Sequence, residues 1–423
     1  MLSGDTTEGD LDFLSEMTAL KILALDYNYN ITGTLPDLSS LTNLELLSVP
    51  NTGMYGTLPA SLEMLTNLRL LFLDDCAFEG SMSMISSMSN LTHVYLEDNW
   101  FDDTIDDGFF ANGEKLVHLD VSNCSFSGTV PKHLFNFSNL QVLDMSNNEL
   151  TGELPAEAFA DVQDSSLSFL SLHTNKLSGN IPSSIRNLTN LATLDLSLNE
   201  FSGEIPSEIS ELSNLNILFL GRNNYDEAPV PVWLRNMTLL QELSLKSSSL
   251  IETIPTWLGE LTYLLFLDLG ENSLTGQIPQ ELGNLTELTV LILNSNSLTG
   301  ELGLGGLTYL EVLLIDDNSI TGNTDEMCVN DLVHFVSDCG GEDFLFDSAI
   351  ELNCTCCTLC CYDTDTTCND DEWLGNTEGI WEFGYERVRW DFDVGPIFPF
   401  VNYNLEQSMQ DNVVELGGEA GEP

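Results

Sequence analysis

Residues 264–288 read LLFLDLGENSLTGQIPQELGNLTEL and carry the frame L-x-x-L-x-L-x-x-N-x-L-x-G-x-I-P on Leu264, Leu267, Leu269, Asn272, Leu274, Gly276, Ile278 and Pro279. The frame starts again at Leu288. Leu267 and Leu269 alternate with outward positions as a short strand does, and the Asn272 amide can bond turn backbone that would otherwise be buried unpaired. One such unit cannot bury its own leucines, so units must stack.

The first leucine of each unit falls at Leu20, Leu44, Leu68, Leu91, Leu116, Leu140, Leu167, Leu191, Leu215, Leu240, Leu264, Leu288 and Leu310, thirteen in all. The spacing is mostly 24 residues, with slippage before Leu116, Leu167 and Leu240. The longest insertion is AEAFADVQDSSLS, before and into the seventh unit. At one strand per unit and ~4.8 Å per strand, the ladder should run ~60 Å along an inner face.

A second element recurs as GTLP, GTLP, GTVP, GELP, GNIP, GEIP and GQIP, ending at Pro36, Pro59, Pro131, Pro155, Pro182, Pro206 and Pro279. With it the chain resembles the plant-type leucine-rich repeat of receptor-kinase ectodomains and polygalacturonase-inhibiting proteins. The resemblance covers residues 20–322, about seven tenths of the chain. It implies an α/β solenoid, a right-handed superhelix of about thirteen repeats with parallel strands on its concave face. It also implies a second short strand after each glycine. The pattern departs at Asp103, Glu227 and Glu252, where the glycine is missing, and at Gly303, where the proline is missing.

The expected organisation is a lead over 1–19, read as a truncated cap, the array over 20–323, a Cys-rich C-terminal cap over 324–369 and an acidic, aromatic tail over 370–423. The tail carries Trp373, Trp381, Trp390 and the run VGPIFPFVNYN, and its final ELGGEAGEP is expected to be disordered. Met1 stands about twenty residues before the first repeat with no cysteine-bearing cap, so a signal or anchor is expected to have been lost upstream. No apolar run is long enough to cross a bilayer.

Acidic residues number 67 against 11 basic ones, a formal net charge of -56. Nucleic acid and anionic lipid surfaces would be repelled. A cationic partner, a protein or peptide, a neutral glycan and divalent cations stay open.

Cys328, Cys339, Cys354, Cys356, Cys357, Cys360, Cys361 and Cys368 cluster after the array. As disulfides they would close four bridges over the terminal repeat; as thiolates the C-x-C-C-x-x-C-C core could hold zinc or copper(I). The cluster also resembles the terminal cysteine signature of diatom and microalgal leucine-rich repeat proteins, many of them inferred receptors. Cys76 and Cys124 occupy the asparagine position of their repeats, as Thr52 and Ser248 do in theirs. Two repeats separate these cysteines, ~10 Å, too far for a bridge, and buried free thiols are expected.

Eight N-x-S/T sequons stand at Asn30, Asn90, Asn123, Asn136, Asn187, Asn236, Asn284 and Asn353. Asn136, Asn187, Asn236 and Asn284 share one phase, four residues before a repeat leucine and away from the inner face. With the cysteines they argue for an oxidising secretory compartment and an extracellular or surface location.

A ligand would sit on the inner strand face, whose positions are expected to be exposed. Asp120, Asp144, Asp195 and Asp268 match the consensus of the resembled class and read as scaffold. Two departures stand out as candidate ligand-binding patches. In the first, Phe72 and Tyr95 occupy that position in adjacent repeats, with Arg69, Asp74, Asp75, His93, Glu97, Asp98 and His118 on or near the same strands. The second combines Phe219, Arg222, Lys246 and Phe266, and could pair with an acidic group. His93 and His118 could neighbour each other and hold a metal with Glu97 or Asp120.

No nucleophile motif, phosphate loop or H-E-x-x-H is present, and no cofactor is indicated. The leading expectation is a non-catalytic extracellular recognition module binding a protein, peptide or glycan on its concave face. The alternatives are a secreted inhibitor of cell-wall-degrading hydrolases and a calcium-dependent structural or adhesive wall protein.

Overall fold

The computed structural model describes residues 11–160, 165–324, 327–328, 332–338, 354 and 356–361. Its inner face is one parallel sheet of fifteen strands in strict chain order, from Ile22–Ala24 to Leu359–Cys361. Pairing is in register throughout, with Leu71 opposite Val94 and Leu267 opposite Leu291. Register follows from burial: the central residue of each three-residue strand points inward, and a one-residue slip would turn every leucine outward. Leu267, Leu269, Leu274 and Leu282 of the quoted unit are all fully buried.

The outer half of a repeat is made by the G-x-I-P element. Short strands such as Ser273–Gln277 form outer sheets of six, five and three strands. These strands run across the glycine, whereas the family resemblance placed them after it. Gly276 has φ +78, a conformation that costs a residue with a Cβ about 1–2 kcal/mol. Glu252, where the glycine is missing, takes the same left-handed backbone with φ +70. Pro279, at φ -68, then opens the one-turn 3-10 helix Gln280–Asn284. Bonds from Leu282 N to Pro279 O and from Leu285 N to Leu282 O, 3.0 Å each, carry the chain back to the next strand.

Between inner and outer strands lies an asparagine ladder. Asn148 Nδ2 donates to Val121 O, Met145 O and Ser146 O at 2.9, 3.2 and 2.9 Å, and its Oδ1 accepts Phe126 N at 2.9 Å. Asn99, Asn175, Asn199, Asn223, Asn272, Asn296 and Asn318 each donate to three carbonyls in the same way. Cys76 and Cys124 are free thiols, and each bonds one carbonyl of the preceding repeat, Val49 O at 3.3 Å and Leu96 O at 3.5 Å. Both are half-buried, not enclosed as expected. A thiol has one donor where the amide has two plus an acceptor, so it cannot reach into the turn.

The ladder of strands does not stop at residue 323. His334–Asp338 and Leu359–Cys361 extend the inner sheet into the region read as the cap. Two disulfides, Cys328–Cys356 and Cys354–Cys357, join described residues there. Cys354, Cys356 and Cys357 pack against the end of the leucine core, covering apolar surface that would otherwise meet water. Cys360 and Cys361 lie on the last strand. Cys339, Cys368, Asn353, residues 1–10 and the tail over 370–423 fall outside the described residues. Among the described residues no helix is long and apolar enough to cross a membrane.

Candidate functional site on the concave face

The structure brings Phe72, Tyr95, His93 and His118 of the first patch together. Phe72, on Leu70–Phe72, stacks on Tyr95, on His93–Tyr95, with ring centroids 5.1 Å apart, and Tyr95 meets His118 at 4.2 Å. Sheet register sets Phe72 opposite Tyr95, whereas His118 stands opposite His93 and reaches the Tyr95 ring along a diagonal. The positions are not open, as an inner-face reading expects: Phe72, Tyr95 and His118 are 7%, 6% and 6% exposed. Neighbouring strands are close enough for large side chains to cover one another's flanks, leaving only their tops to solvent.

Beside the column stand Asp74, Glu97 and Asp120, one from each of three successive repeats. Burial, and then neighbouring carboxylates, push Asp74 up to about 7 and Asp120 up to about 8. Burial, then Asp120 and Asp74, raise Glu97 well above the usual carboxylate range. Asp144 joins the column from the next repeat, raised to about 6 chiefly by burial. Among the described residues no ion pair reaches Asp74, Glu97 or Asp120, and Glu97 Oε2 is shielded from solvent with no hydrogen-bond partner. Arg69 and Asp75 are both exposed.

His93 and His118 are neighbours, 6.4 Å between ring centroids. Burial, then His93, push His118 down to about 3, so its ring is neutral. No group of three or more His, Cys, Asp or Glu among the described residues is gathered as a metal site.

The aspartates read as scaffold serve the turns. Asp120, Asp144 and Asp195 each accept the backbone N–H, at 2.9 Å, and the hydroxyl of Ser122, Ser146 and Ser197, and Asp268 accepts Gly270 N at 2.8 Å.

The second patch also assembles, but its cations are engaged within the chain. Phe219 and Phe266 meet edge to face at 5.9 Å, and both are buried. Glu271 Oε1 lies 3.3 Å from both Arg222 Nη2 and Lys246 Nζ. The acidic group expected from a ligand is therefore supplied by the protein. The apolar surface continues through Val290, Ile292 and Val312, which the sequence reading missed. The signal was there, since LTVLILN and LEVLLID lack the polar alternation of earlier strands.

The sequons separate by exposure. Asn136, Asn236 and Asn284 are exposed and end one-turn helices on the outer side; Asn30 and Asn123 are also exposed. Asn187 ends such a helix too, yet is half-buried and donates to Phe159 O at 2.9 Å. Asn90 is half-buried and donates to Thr66 O at 2.7 Å.

Comparison with known proteins agrees with the architecture. The family model for the Leucine-rich repeat region matches residues 115–250, and that for the Leucine Rich Repeat matches residues 263–285. The Receptor-like kinase TMK2 of Arabidopsis thaliana is 28% identical over 188 residues, 43% of this chain and 20% of that protein. The solved structure of PEPR1-AtPEP1 superposes with a TM-score of 0.69 at 28% identity, over 77% of this chain and 46% of that one. The plant peptide hormone receptor RGFR1 in complex with RGF2 gives 0.52 at 25% identity, over 78% of this chain and 68% of that one. The chain thus spans a fifth of the kinase and under half of the PEPR1 chain. Residues 115–250 and 263–285 match leucine-rich repeat models, and the chain is similar to plant leucine-rich repeat receptors.

Proposed function

We propose that the chain is a non-catalytic, extracellular, receptor-like recognition module whose concave face takes a peptide bearing a basic side chain. The observation that carries this reading is the carboxylate group of Asp74, Glu97 and Asp120 beside Tyr95, with no ion pair among the described residues. A guanidinium or ammonium arriving there would draw these groups back to the ionised form and lie against the aromatic column. A net charge of -56 would steer such a ligand in. The solved RGFR1 complex, described as a peptide hormone receptor's, favours a peptide over a glycan. The disulfides and exposed sequons support passage through an oxidising compartment.

The test presents immobilised full-length chain with an array of peptides of matched length and graded net charge. Basic, aromatic-tolerant sequences should bind, more weakly at high salt, and Glu97→Gln or Tyr95→Ala should weaken them at least tenfold. Binding indifferent to peptide charge, or unchanged by both substitutions, would sink the reading.

A further inference from the structure

We propose that an exposed apolar row on the flank of the last repeats, Leu239, Tyr263 and Tyr309, is a docking site for this chain's own residues 394–405, VGPIFPFVNYNL. The row stands out against the rest of the flank. In earlier repeats the residue just before the repeat leucine is commonly asparagine, and its amide donates to a carbonyl of the preceding repeat. Asn43 reaches Thr18 O at 2.9 Å, Asn67 reaches Thr42 O at 2.8 Å and Asn214 reaches Thr189 O at 3.0 Å. After Asn214 the position changes to Leu239, Tyr263, Glu287 and Tyr309. Leu239, Tyr263 and Tyr309 are 53%, 60% and 64% exposed, so at three of these four positions the polar lock is replaced by apolar surface left to solvent, with the exposed Glu287 between the two tyrosines. The inner strands of these same repeats carry the Phe266, Val290 and Val312 cluster.

Charge and tether select the occupant. A second copy would bring another -56 to a molecule already at -56, and such molecules repel. Residues 394–405 hold no Asp, Glu, Lys, Arg or His in a chain with 67 acidic residues, and they include Phe398, Phe400 and Tyr403. They lie outside the described residues but are joined to Cys361, on the last inner strand. The strand of the Leu239 repeat, Glu242–Ser244, is five places away in that sheet, ~24 Å. The 32 intervening residues, 362–393, reach up to ~105 Å when extended, so length is no obstacle. Tethering supplies an effective concentration that lets a modest apolar contact form.

Hydrogen–deuterium exchange of the full chain, read by peptide mass spectrometry, tests this. Residues 394–405 should exchange at least tenfold slower than an isolated peptide of that sequence, independently of protein concentration. The protection should vanish in Tyr263→Ser/Tyr309→Ser and in Phe398→Ser/Phe400→Ser, with inner-sheet amides unchanged as the control for folding. Exchange at the free-peptide rate in the native chain overturns the proposal. So does protection that survives the Tyr263/Tyr309 pair, or that is lost on hundredfold dilution, which would indicate a second copy.

Discussion

At the scale of single residues, the inner face is a set of carboxylates held where water is scarce. Asp120 is the clearest case. Its folded-state pKa of about 8 lies far above the ~3.9 of an unfolded aspartate. The unfolded chain therefore binds fewer protons between those values, and stability must fall as pH rises through them. The contribution is fully present below about pH 4 and lost through about pH 8, with Asp74 and Asp144 acting in the same direction. The urea midpoint should be lower at pH 8.5 than at pH 5, and Asp120→Asn, which keeps an acceptor for Ser122 N, should shrink the drop. A midpoint that rises over this interval contradicts the assignment. His118, neutral in the fold but protonated below about pH 6.5 once unfolded, acts in the opposite direction from about pH 3 to about pH 6.5 and offsets part of the drop.

At the scale of the repeat, the asparagine ladder decides how well each turn is closed. Removing the Asn148 amide strands Val121 O and Phe126 N, whereas Met145 O keeps Asn175 Nδ2 and Ser146 O keeps Asn123 N, both at 3.0 Å. At ~1–3 kcal/mol per unsatisfied buried group, these two should make Asn148→Ala cost at least ~2 kcal/mol, measured by urea denaturation. Asn148→Cys should cost less, because the natural thiols at Cys76 and Cys124 show that sulfur keeps one carbonyl bond. Equal losses for the two variants would mean that the amide's bonds are not what holds the turn. This ladder was legible in the sequence, because its position recurs in fixed phase with the leucines. A second ladder, through Asn43, Asn67, Asn139, Asn190 and Asn214, escaped the sequence reading. Its asparagines sit beside the repeat leucine in plain view, but their acceptors belong to the preceding repeat and only stacking brings them near.

At the scale of the whole molecule, charge opposes compaction. The described ion pairs, such as Lys21–Glu45, Arg186–Glu211 and Arg235–Glu260, link neighbouring repeats but are exposed, and pairs of that kind contribute at most about 1 kcal/mol each. They are few against a net charge of -56, so repulsion should win. Raising the ionic strength from about 0.01 M to about 0.15 M shortens the screening length from ~30 to ~8 Å and should raise the melting temperature. A melting temperature that falls with salt would show that the pairs outweigh the repulsion.

The sequence by itself determined the array, because the leucine period, the asparagine phase and the G-x-I-P element each state a local requirement that every repeat must meet. It also named the aromatic and basic residues of both inner-face patches, though not Val290, Ile292, Val312 or Glu271, since departures from a repeated pattern are visible as departures. Tertiary structure alone decided what those residues do. Sheet register set Phe72 against Tyr95, a diagonal contact added His118 to a mostly covered column, and turn geometry brought Glu271 to Arg222 and Lys246. It also carried the strands past residue 323. Burial and pairing depend on neighbours about two dozen residues away in the chain but only ~5 Å away in the stack, and that distance is set by the fold.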